Sequence, residues 1–461
     1  MSVALLPAVE QLKLLRAKEI SALELAEEHI TRIERLNPEL NAIVDFDAER
    51  VRRQAGSVRA GELSGLPMTI KSSIATAGHR CEIGSLLHRG QVPQKDALSV
   101  SRLREEGAVL LGTTNCPEFL MAYETDNRLH GRTNNPWALD RTAGGSSGGE
   151  AAAIAAGLSA AGIGSDSGGS VREPAHFSGI CSLKPTSGRI SAEGHMPPCV
   201  GPFSTLGAIG PMARTIPDVE LIFRLLSQTS KLDSIGAPLP YRQVSLSEAK
   251  QVTIGWFEDD GITPVTPETR VAVQDAAQAL ERQGFRLRRF RPQSLERARR
   301  LWQIFFVQCG AIFYKPTIAG RRELLSPTFL DFLDIAGAQP PLTARSLLEA
   351  WAESDLVRAQ LLAEMEQCPL LLLPVSSTPA YRHGEREWEI DNCKVKYLDS
   401  MRYTQWFNFL GSPAAVVPVG RSSKGLPIGV QIAGRPYGDE LVLAVANALD
   451  AEFGYQLPPI H

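Results

Sequence analysis

The sequence lacks the short motifs that most metal and cofactor sites contain. Its seven cysteines form no CxxC pair, and its eight histidines form no HxxxH or HExxH motif. We therefore expect no zinc site, no disulfide framework and a reducing, cytoplasmic environment. Neither GxxxxGK[ST] nor GxGxxG occurs, which argues against the glycine-rich loops that bind nucleotide phosphates.

Long apolar runs and clusters of basic residues are missing as well. The uncharged stretch at residues 151–165 is too short and too rich in small residues to span a bilayer. The first twenty residues lack the basic start and apolar block of a signal peptide. With a net charge of −3 and no long basic run, the chain is expected to bind neither nucleic acid nor an anionic membrane.

What the chain does contain is an ordinary globular composition and an alternation of strands and helices. Of its 461 residues 43% are hydrophobic and 21% charged, which is enough for a large core. Apolar runs such as GLPMTIK, CPLLLLPVS and PIGVQIAG predict buried strands between helical stretches. This pattern predicts an α/β fold, with one large twisted sheet, mixed or mostly parallel, covered by helices on both faces. We expect a single domain over residues 1–461, with an N-terminal helical segment at 1–60 and a helical insertion at 296–366.

The most informative stretch is GGSSGGEAAAIAAGLSAAGIGSDSGGSVREP, residues 144–174, in which two glycine–serine clusters flank an alanine-rich helix. A flexible linker is one interpretation, but linkers join domains, whereas this segment encloses an apolar helix. A nucleophile elbow is another, because GxSxG occurs around Ser146 and again around Ser147. That motif requires a buried strand just before it, and the preceding residues are polar and turn-like.

A third interpretation places a nucleophile in the second cluster. Ser170 follows two glycines, whose backbone N–H groups are free of side-chain obstruction and could hold a developing oxyanion. A serine hydroxyl also needs a base within hydrogen-bonding reach. Lys71 ends the apolar stretch GLPMTI among small residues, where burial would lower the pKa of its amine. Lys71 is therefore the candidate base.

These motifs together resemble the amidase signature family of serine amidohydrolases. GLPMTIK, GGSSGGEAAA and GSDSGGSVREPAHFSGICSLKPTSGRIS stand in the family's order and spacing. The likeness continues upstream in GAVLLGTTNCPEF and downstream in FNFLGSPAAVVPVG and GLPIGVQIAG, and it is weakest at residues 225–400. The glutamate of GGSSGGEAAA and the segment TNCPEFLMAYETDNRLHGRTNNPW are most similar to the fatty-acid-amide-hydrolase branch.

The resemblance implies a Ser–cis-Ser–Lys triad. Lys71 would be the base, Ser146 the bridging serine on a cis peptide, and Ser170 the nucleophile that becomes acylated. Ser147 is the alternative to Ser146, because either could cap the helix. The implied oxyanion-holding N–H groups are those of Ser167, Gly168, Gly169 and Ser170, and the implied substrate contacts are Leu120, Met121 and Tyr123.

Several nearby residues are interpreted as structural instead. Asp166 and Arg172 are expected to form an ion pair beneath the loop. His176 and His130 could serve as bases in principle, but the resemblance leaves them no such role, and Cys181 and Cys116 are expected to be small buried side chains. Substrate specificity is expected to depend on residues 190–206 and 296–400, where the resemblance is poorest.

The function implied is hydrolysis of a carboxylic acid amide to an acid and an amine or ammonia through an acyl-serine intermediate. The expected substrate is a small-molecule amide, with ester cleavage as a side activity and with no metal or organic cofactor. Two alternatives stay open: an amidotransferase A-type subunit of a transamidating complex, and a catalytically silent homologue used for binding. The sequence is also compatible with a homodimer.

Overall fold

The computed structural model describes residues 2–227, 236 and 239–460. Within these residues the strands, in chain order, are β1 (Ile43–Phe46), β2 (Pro67–Lys71), β3 (Val109–Thr114), β4 (Asn134–Asn135), β5 (Ala138–Thr142), β6 (Ala161–Asp166), β7 (Cys181–Lys184), β8 (Ala208–Ala213), β9 (Thr253–Trp256), β10 (Arg286–Arg289), β11 (Leu370–Pro374), β12 (Glu387–Ile390), β13 (Cys393–Lys396), β14 (Ala414–Arg421) and β15 (Pro427–Gly434).

The helices cover both faces of the sheet that most of these strands form. In chain order they are α1 (Ala8–Ala17), α2 (Ala22–Leu40), α3 (Ala48–Ala55), α4 (Leu98–Glu105), α5 (Gly148–Ala155), α6 (Arg172–Ser178), α7 (Pro202–Leu206), α8 (Ile216–Leu226), α9 (Leu246–Ala249), α10 (Pro267–Arg282), α11 (Leu295–Trp302), α12 (Cys309–Ile318), α13 (Pro327–Gly337), α14 (Ala344–Glu364), α15 (Tyr397–Ser400), α16 (Arg402–Leu410) and α17 (Asp439–Phe453). Short 3₁₀ turns occur at Val3–Leu5, Leu86–His88, Glu118–Leu120 and Arg322–Leu324, and a π-helical segment at Gln303–Gln308 joins α11 to α12.

Eleven strands form one mixed sheet in the order β1-β3-β2-β6-β8-β7-β14-β15-β11-β9-β10. Four of its ten neighbouring pairs are parallel, namely β2 with β3 and with β6, and β9 with β10 and with β11. The prediction of an α/β fold with a large mixed sheet is confirmed. The alternative prediction of a mostly parallel sheet is wrong, because β8, β7, β14 and β15 run as consecutive antiparallel neighbours through the centre of the sheet.

The alternation of side chains along β14 shows how the two faces are covered. Val416 packs in a cluster with Ala151 and Ile154 of α5 and Ala175 of α6. Ala415 and Val417 point to the opposite face, into the larger core that contains residues of α8, α10 and α17. Successive residues of a strand face opposite sides of a sheet, so helices lie on both faces, as the sequence predicts.

The parallel strands β2 and β6 position the candidate site. Both strands are buried along their whole length, and Ile70 pairs in register with Ile163. Their carboxyl ends therefore meet at one edge of the sheet, where β2 ends with Lys71 and β6 ends with Asp166. Helix α5 packs against both strands and begins beside this edge.

The part of the chain that the structure describes contains no helix long and apolar enough to cross a membrane. The same residues contain no group of three or more histidine, cysteine, aspartate or glutamate side chains that could hold a metal ion. The cytoplasmic location and the homodimer stay predictions.

Candidate active site

The candidate nucleophile Ser170 lies in the loop between β6 and α6. It is nearly buried, with 9% of its surface exposed, and two cavities meet at its side chain. Its carbonyl oxygen accepts a hydrogen bond from the backbone N–H of Ser147 at 3.1 Å. The two glycine–serine clusters are therefore joined directly by their backbones.

Lys71, the candidate base, is completely buried at the end of β2. Its Nζ donates to Ser146 Oγ at 2.7 Å and to Ser165 Oγ at 3.1 Å. Burial lowers the pKa of Lys71 to about 8, because an ammonium ion loses its hydration there; nearby thiols and carboxyl groups, Glu150 among them, oppose that shift. At pH 7 about one tenth of such an amine is neutral, against less than a thousandth at its ordinary pKa.

The two serines of the first cluster have different surroundings. Ser146 follows a cis Gly145–Ser146 peptide bond, accepts the hydrogen bond from Lys71 and lines the same cavity as Ser170. The Ser147 hydroxyl instead donates to Ser165 O at 3.3 Å and accepts from the Ser165 N–H at 3.4 Å. Of the two alternatives in the sequence, Ser146 is therefore the one in contact with Lys71.

Side chains from distant parts of the chain hold the carbonyl groups of the nucleophile loop. The indole Nε1 of Trp302 donates to Ser167 O at 2.9 Å. The hydroxyl groups of Tyr123 and Thr404 donate to Gly168 O at 2.7 and 2.6 Å. Because the carbonyl and the following N–H of a planar trans peptide point in opposite directions, these bonds also set the direction of the N–H groups of the loop.

Not all four N–H groups of the implied oxyanion set are available. The Gly169 N–H donates to Asp166 Oδ1 at 2.8 Å, so the expected four are reduced to three. Among the described residues, the N–H groups of Ser167, Gly168 and Ser170 have no hydrogen-bond partner. Three of the four expected donors thus remain without a partner among the described residues.

The two cavities that meet at Ser170 have volumes of about 520 and 460 Å³. The first is walled by Trp302, Phe306, Phe332 and Tyr397. The second contains Ser146 and Ser165 at its polar end, and its aromatic walls are formed by Phe119, Phe203, Phe306, Phe313 and Tyr314. Both cavities are therefore mainly apolar, with polar groups near Ser170, and the first is also lined by the charged pair Asp331 and Arg386.

The three residues expected to contact substrate line these cavities. Leu120 and Met121 lie in both, and Tyr123 lies in the first. Residues 190–206 and 296–400 are expected to shape the pocket. In agreement, His195 and Cys199 line the second cavity, and Phe306 of the π-helical segment lines both cavities. Which of these residues touch a substrate stays a proposal.

Comparison with known proteins identifies the family. A family model described as Amidase matches residues 24–443. The chain belongs to the amidase family.

Its relatives in this family have more than one activity. The chain is 33% identical to the A-type subunit of a glutamyl-tRNA(Gln) amidotransferase from Roseiflexus castenholzii, over 95% of this chain and 93% of the relative. It is also 33% identical to an indoleacetamide hydrolase of Bradyrhizobium diazoefficiens, over 97% of this chain and 86% of the relative. A solved fatty acid amide hydrolase superposes with a TM-score of 0.89 at 26% identity, covering 99% of this chain and 86% of that one.

Within this amidase-family site, the predicted ion pair of Asp166 and Arg172 is confirmed. Both side chains are fully buried and joined by two bonds of 3.0 Å. Burial alone would raise the pKa of Asp166, but the Arg172 guanidinium outweighs it and holds that pKa well below its ordinary range. Asn408 of α16 donates to Asp166 Oδ1 at 2.9 Å, and Arg172 donates to Thr404 O at 3.0 Å. The pair therefore ties the nucleophile loop to α16.

The histidines and cysteines that the sequence analysis interprets as structural are buried or hydrogen-bonded. His176 is buried between the backbones of Gly429 and Thr378, with both ring nitrogens in hydrogen-bond contact. His130 lies 2.8 Å from Glu82. Cys116 and Cys181 are buried.

Trp302 and Thr404 are the loop-supporting residues that sequence reasoning missed. Trp302 stands in LWQIFFVQCGAIF, a run apolar enough for a pocket wall but equally suited to a core helix. Its indole ring is fully buried and stacks on Phe306, with centroids 4.9 Å apart. No local pattern marks a tryptophan whose N–H supports a loop 135 residues away.

Replacing Asp166→Asn tests the support of the loop. The variant leaves the buried Arg172 charge without its carboxylate, so we expect the free energy of unfolding to fall by about 3–5 kcal/mol. Urea denaturation followed by tryptophan fluorescence measures the change. The matched control is Glu387→Gln in the exposed Lys394–Glu387 pair, which should change stability by less than about 1 kcal/mol. Equal, small effects in both variants would contradict the structural role of Asp166.

Proposed function

We propose that the protein hydrolyses a carboxylic acid amide to an acid and an amine through an ester of Ser170. The observation that carries the proposal is the 2.7 Å hydrogen bond from the buried Lys71 amine to Ser146 Oγ, at the edge of the cavity that holds Ser170. A buried amine beside a hydroxyl is the arrangement that activates a weak nucleophile without histidine. Membership of the amidase family supports the same reaction.

In the proposed first half-reaction, neutral Lys71 removes the proton of Ser146 while Ser146 removes the proton of Ser170. The Ser170 oxygen attacks the amide carbon, and the resulting oxyanion is held by the N–H groups of Ser167, Gly168 and Ser170. When the carbon–nitrogen bond breaks, Ser146 gives its proton to the leaving nitrogen and recovers one from Lys71. Lys71 is then neutral again, and the amine departs.

In the second half-reaction a water molecule takes the place of the amine. The relay removes a proton from water, the hydroxide attacks the acyl carbon, and collapse returns the proton to Ser170 as the acid leaves. An ester substrate would form the same acyl-enzyme, so ester cleavage is the expected side activity. A preorganised set of N–H donors contributes to both steps, because each passes through an oxyanion.

The two cavities differ in their access to the proton donor. Ser146 lines the second cavity, and the described residues lining the first do not include it. The leaving nitrogen must lie within reach of Ser146, so we assign the amine to the second cavity. The acyl group then occupies the first, between Trp302 and Phe332.

The relatives make a second function worth testing, since the amidotransferase relative is as similar to this chain as the indoleacetamide hydrolase is. A glutamine donor carries a charged amino and carboxylate group, and each needs polar partners when buried. Both cavities here are walled mainly by apolar side chains, and the two charged residues of the first, Asp331 and Arg386, pair with each other, which favours an amide with apolar or aromatic substituents. Stable co-purification with partner proteins together with glutamine hydrolysis would favour the amidotransferase instead.

Labelling with a fluorophosphonate tests the acyl-enzyme. We expect the purified protein to be labelled once, at Ser170, and amide hydrolysis to be lost in proportion to labelling. Ser170→Ala should abolish both, while Ser147→Ala, the matched neighbouring serine, should retain labelling if it folds. Intact mass and peptide mapping measure the adduct. No labelling of the native protein, or equal labelling of Ser170→Ala, would contradict the proposal.

Two matched phenylalanine variants test the assignment of the cavities. Phe332→Leu changes the first cavity, so it should alter both acylation and deacylation, because the acyl group stays bound through both. Phe203→Leu changes the second cavity and should alter acylation in a way that depends on the amine, while leaving deacylation of the same acyl-enzyme unchanged.

Pre-steady-state bursts with p-nitroanilides and p-nitrophenyl esters of one acid separate the two rate constants. A larger effect of Phe203→Leu than of Phe332→Leu on deacylation would reverse the assignment.

A further inference from the structure

The proposed relay leaves one fully buried carboxyl group beside Lys71 unexplained. Glu150 stands in the first turn of α5, and none of its surface is exposed. The Thr114 hydroxyl donates to one of its carboxyl oxygens at 2.8 Å, and the Thr69 hydroxyl donates to the other. A carboxylate in this position is costly to bury unless a positive charge lies nearby.

Strand geometry places this carboxyl group on the same side of the sheet as the Lys71 side chain. Thr69 and Lys71 are two residues apart on β2, so their side chains project from one face. Thr114 is the register partner of Lys71 on β3, and its side chain shares that face. The two hydroxyl groups that bind Glu150 therefore lie next to Lys71 on the same face. Thr69 is on the same strand, and Thr114 is on the neighbouring strand β3.

The sheet has a recess that accommodates the carboxyl group. Gly162 of β6 is the register partner of Thr69, and a Cβ atom at Gly162 would lie only 1.9 Å from Glu150 Oε1. The floor beneath Glu150 thus consists of β3, β2 and β6, with a side chain absent where the carboxylate sits. Glycine is required here for close approach, a use that its missing Cβ allows.

The Ser146 hydroxyl contacts Lys71 Nζ, and the Glu150 carboxyl, four residues later, lies on the same face of the sheet and interacts electrostatically with the amine. We propose that Glu150 is a positioning residue for the base, whose carboxylate stabilises the ammonium form of Lys71 that arises when the relay takes a proton from Ser170. This inference rests on the proposed function. Glu150 would thus stabilise a protonated lysine in the way that the carboxylate of a Ser-His-Asp triad stabilises a protonated histidine.

Four other titratable groups interact with Lys71, namely Cys116, Asp166, Cys199 and His195. Three of them are poorly suited to this role. Asp166 is engaged by Arg172, burial raises the pKa of the Cys116 thiol, and burial lowers the pKa of His195 to about 4. Burial raises the pKa of Glu150 to about 7 while Lys71 and the two threonine hydroxyls lower it, so the carboxyl group titrates close to the range in which Lys71 does.

The test is the pH profile of kcat/KM for the Glu150→Gln variant, which keeps the side-chain shape and removes the negative charge. Without the carboxylate Lys71 loses its proton more easily, so the midpoint of the acidic limb should move to lower pH by about one unit. The plateau rate should fall by about tenfold, because the ammonium formed during the reaction is less stabilised. An acidic limb at the native midpoint would overturn the proposal.

Two threonine variants keep the test decisive if Glu150→Gln does not fold. Thr114→Val removes one donor to the carboxylate and should shift the limb in the same direction by less than Glu150→Gln does. Thr113→Val is the matched control, because the adjacent Thr113 hydroxyl donates to Arg80 O on the opposite face; its midpoint should equal that of the native protein. A native midpoint in Thr114→Val, or equal shifts in both variants, would overturn the role of Glu150.

Fluorophosphonate labelling separates a failure of the proposed function from a failure of the role assigned to Glu150. A native protein that a fluorophosphonate does not label at Ser170 contradicts the proposed function and this inference with it. A native protein that is labelled and active, with no change of the acidic limb in a folded Glu150→Gln variant, contradicts the inference alone.

Discussion

Burying one amine is the constraint on which the rest of the site depends. Lys71 has no exposed surface, and burial brings its pKa down to about 8. Water would restore the ordinary basicity of the amine, so the proposed lysine base could work near neutral pH only while β2 stays covered. The neighbouring strands β3 and β6, buried along their whole length, and helix α5, which packs against β2, supply that cover.

The segment between the two glycine–serine clusters is packed into the core and is not an exposed linker. Helix α5 is buried at every position from Gly148 to Ala155, and its alanines let it approach β2 and β6 closely. The Ser147 N–H bonds to Ser170 O, so the two ends of the segment are held against each other. The proposed relay needs this arrangement, because a hydroxyl displaced by about 1 Å loses its proton-transfer geometry.

The sequence predicted best what local pattern determines. Lys71 ends an apolar strand, Ser146 precedes a helix and Ser170 follows a glycine turn, and each belongs to a recognisable run of residues. The strands β7 and β8 were not predicted; β7 has only four residues, and β8 (AIGPMA) carries a glycine and a proline, both unusual inside a strand.

Contacts between distant parts of the chain were beyond such reasoning. Thr404 reaches Gly168 across 236 residues, and the Gly169 N–H is taken by Asp166 through a loop geometry that composition does not encode. The family resemblance favoured Ser146 over Ser147, but the physical reason, the contact of Lys71 Nζ with the Ser146 hydroxyl, is defined only by the fold. These features follow from how the sheet edge, α16 and the helices around Trp302 come together, which only the folded chain defines.

The pH dependence of Ser170 phosphonylation tests the central claim, that a buried Lys71 acts as the base, most directly. In the native protein the second-order rate constant with a fluorophosphonate should rise through a midpoint near the lysine pKa of about 8 and then level off. In Lys71→Ala it should be slower by orders of magnitude at neutral pH and show no such plateau. A Lys71→Ala variant that is phosphonylated at the native rate with the native midpoint would contradict the account.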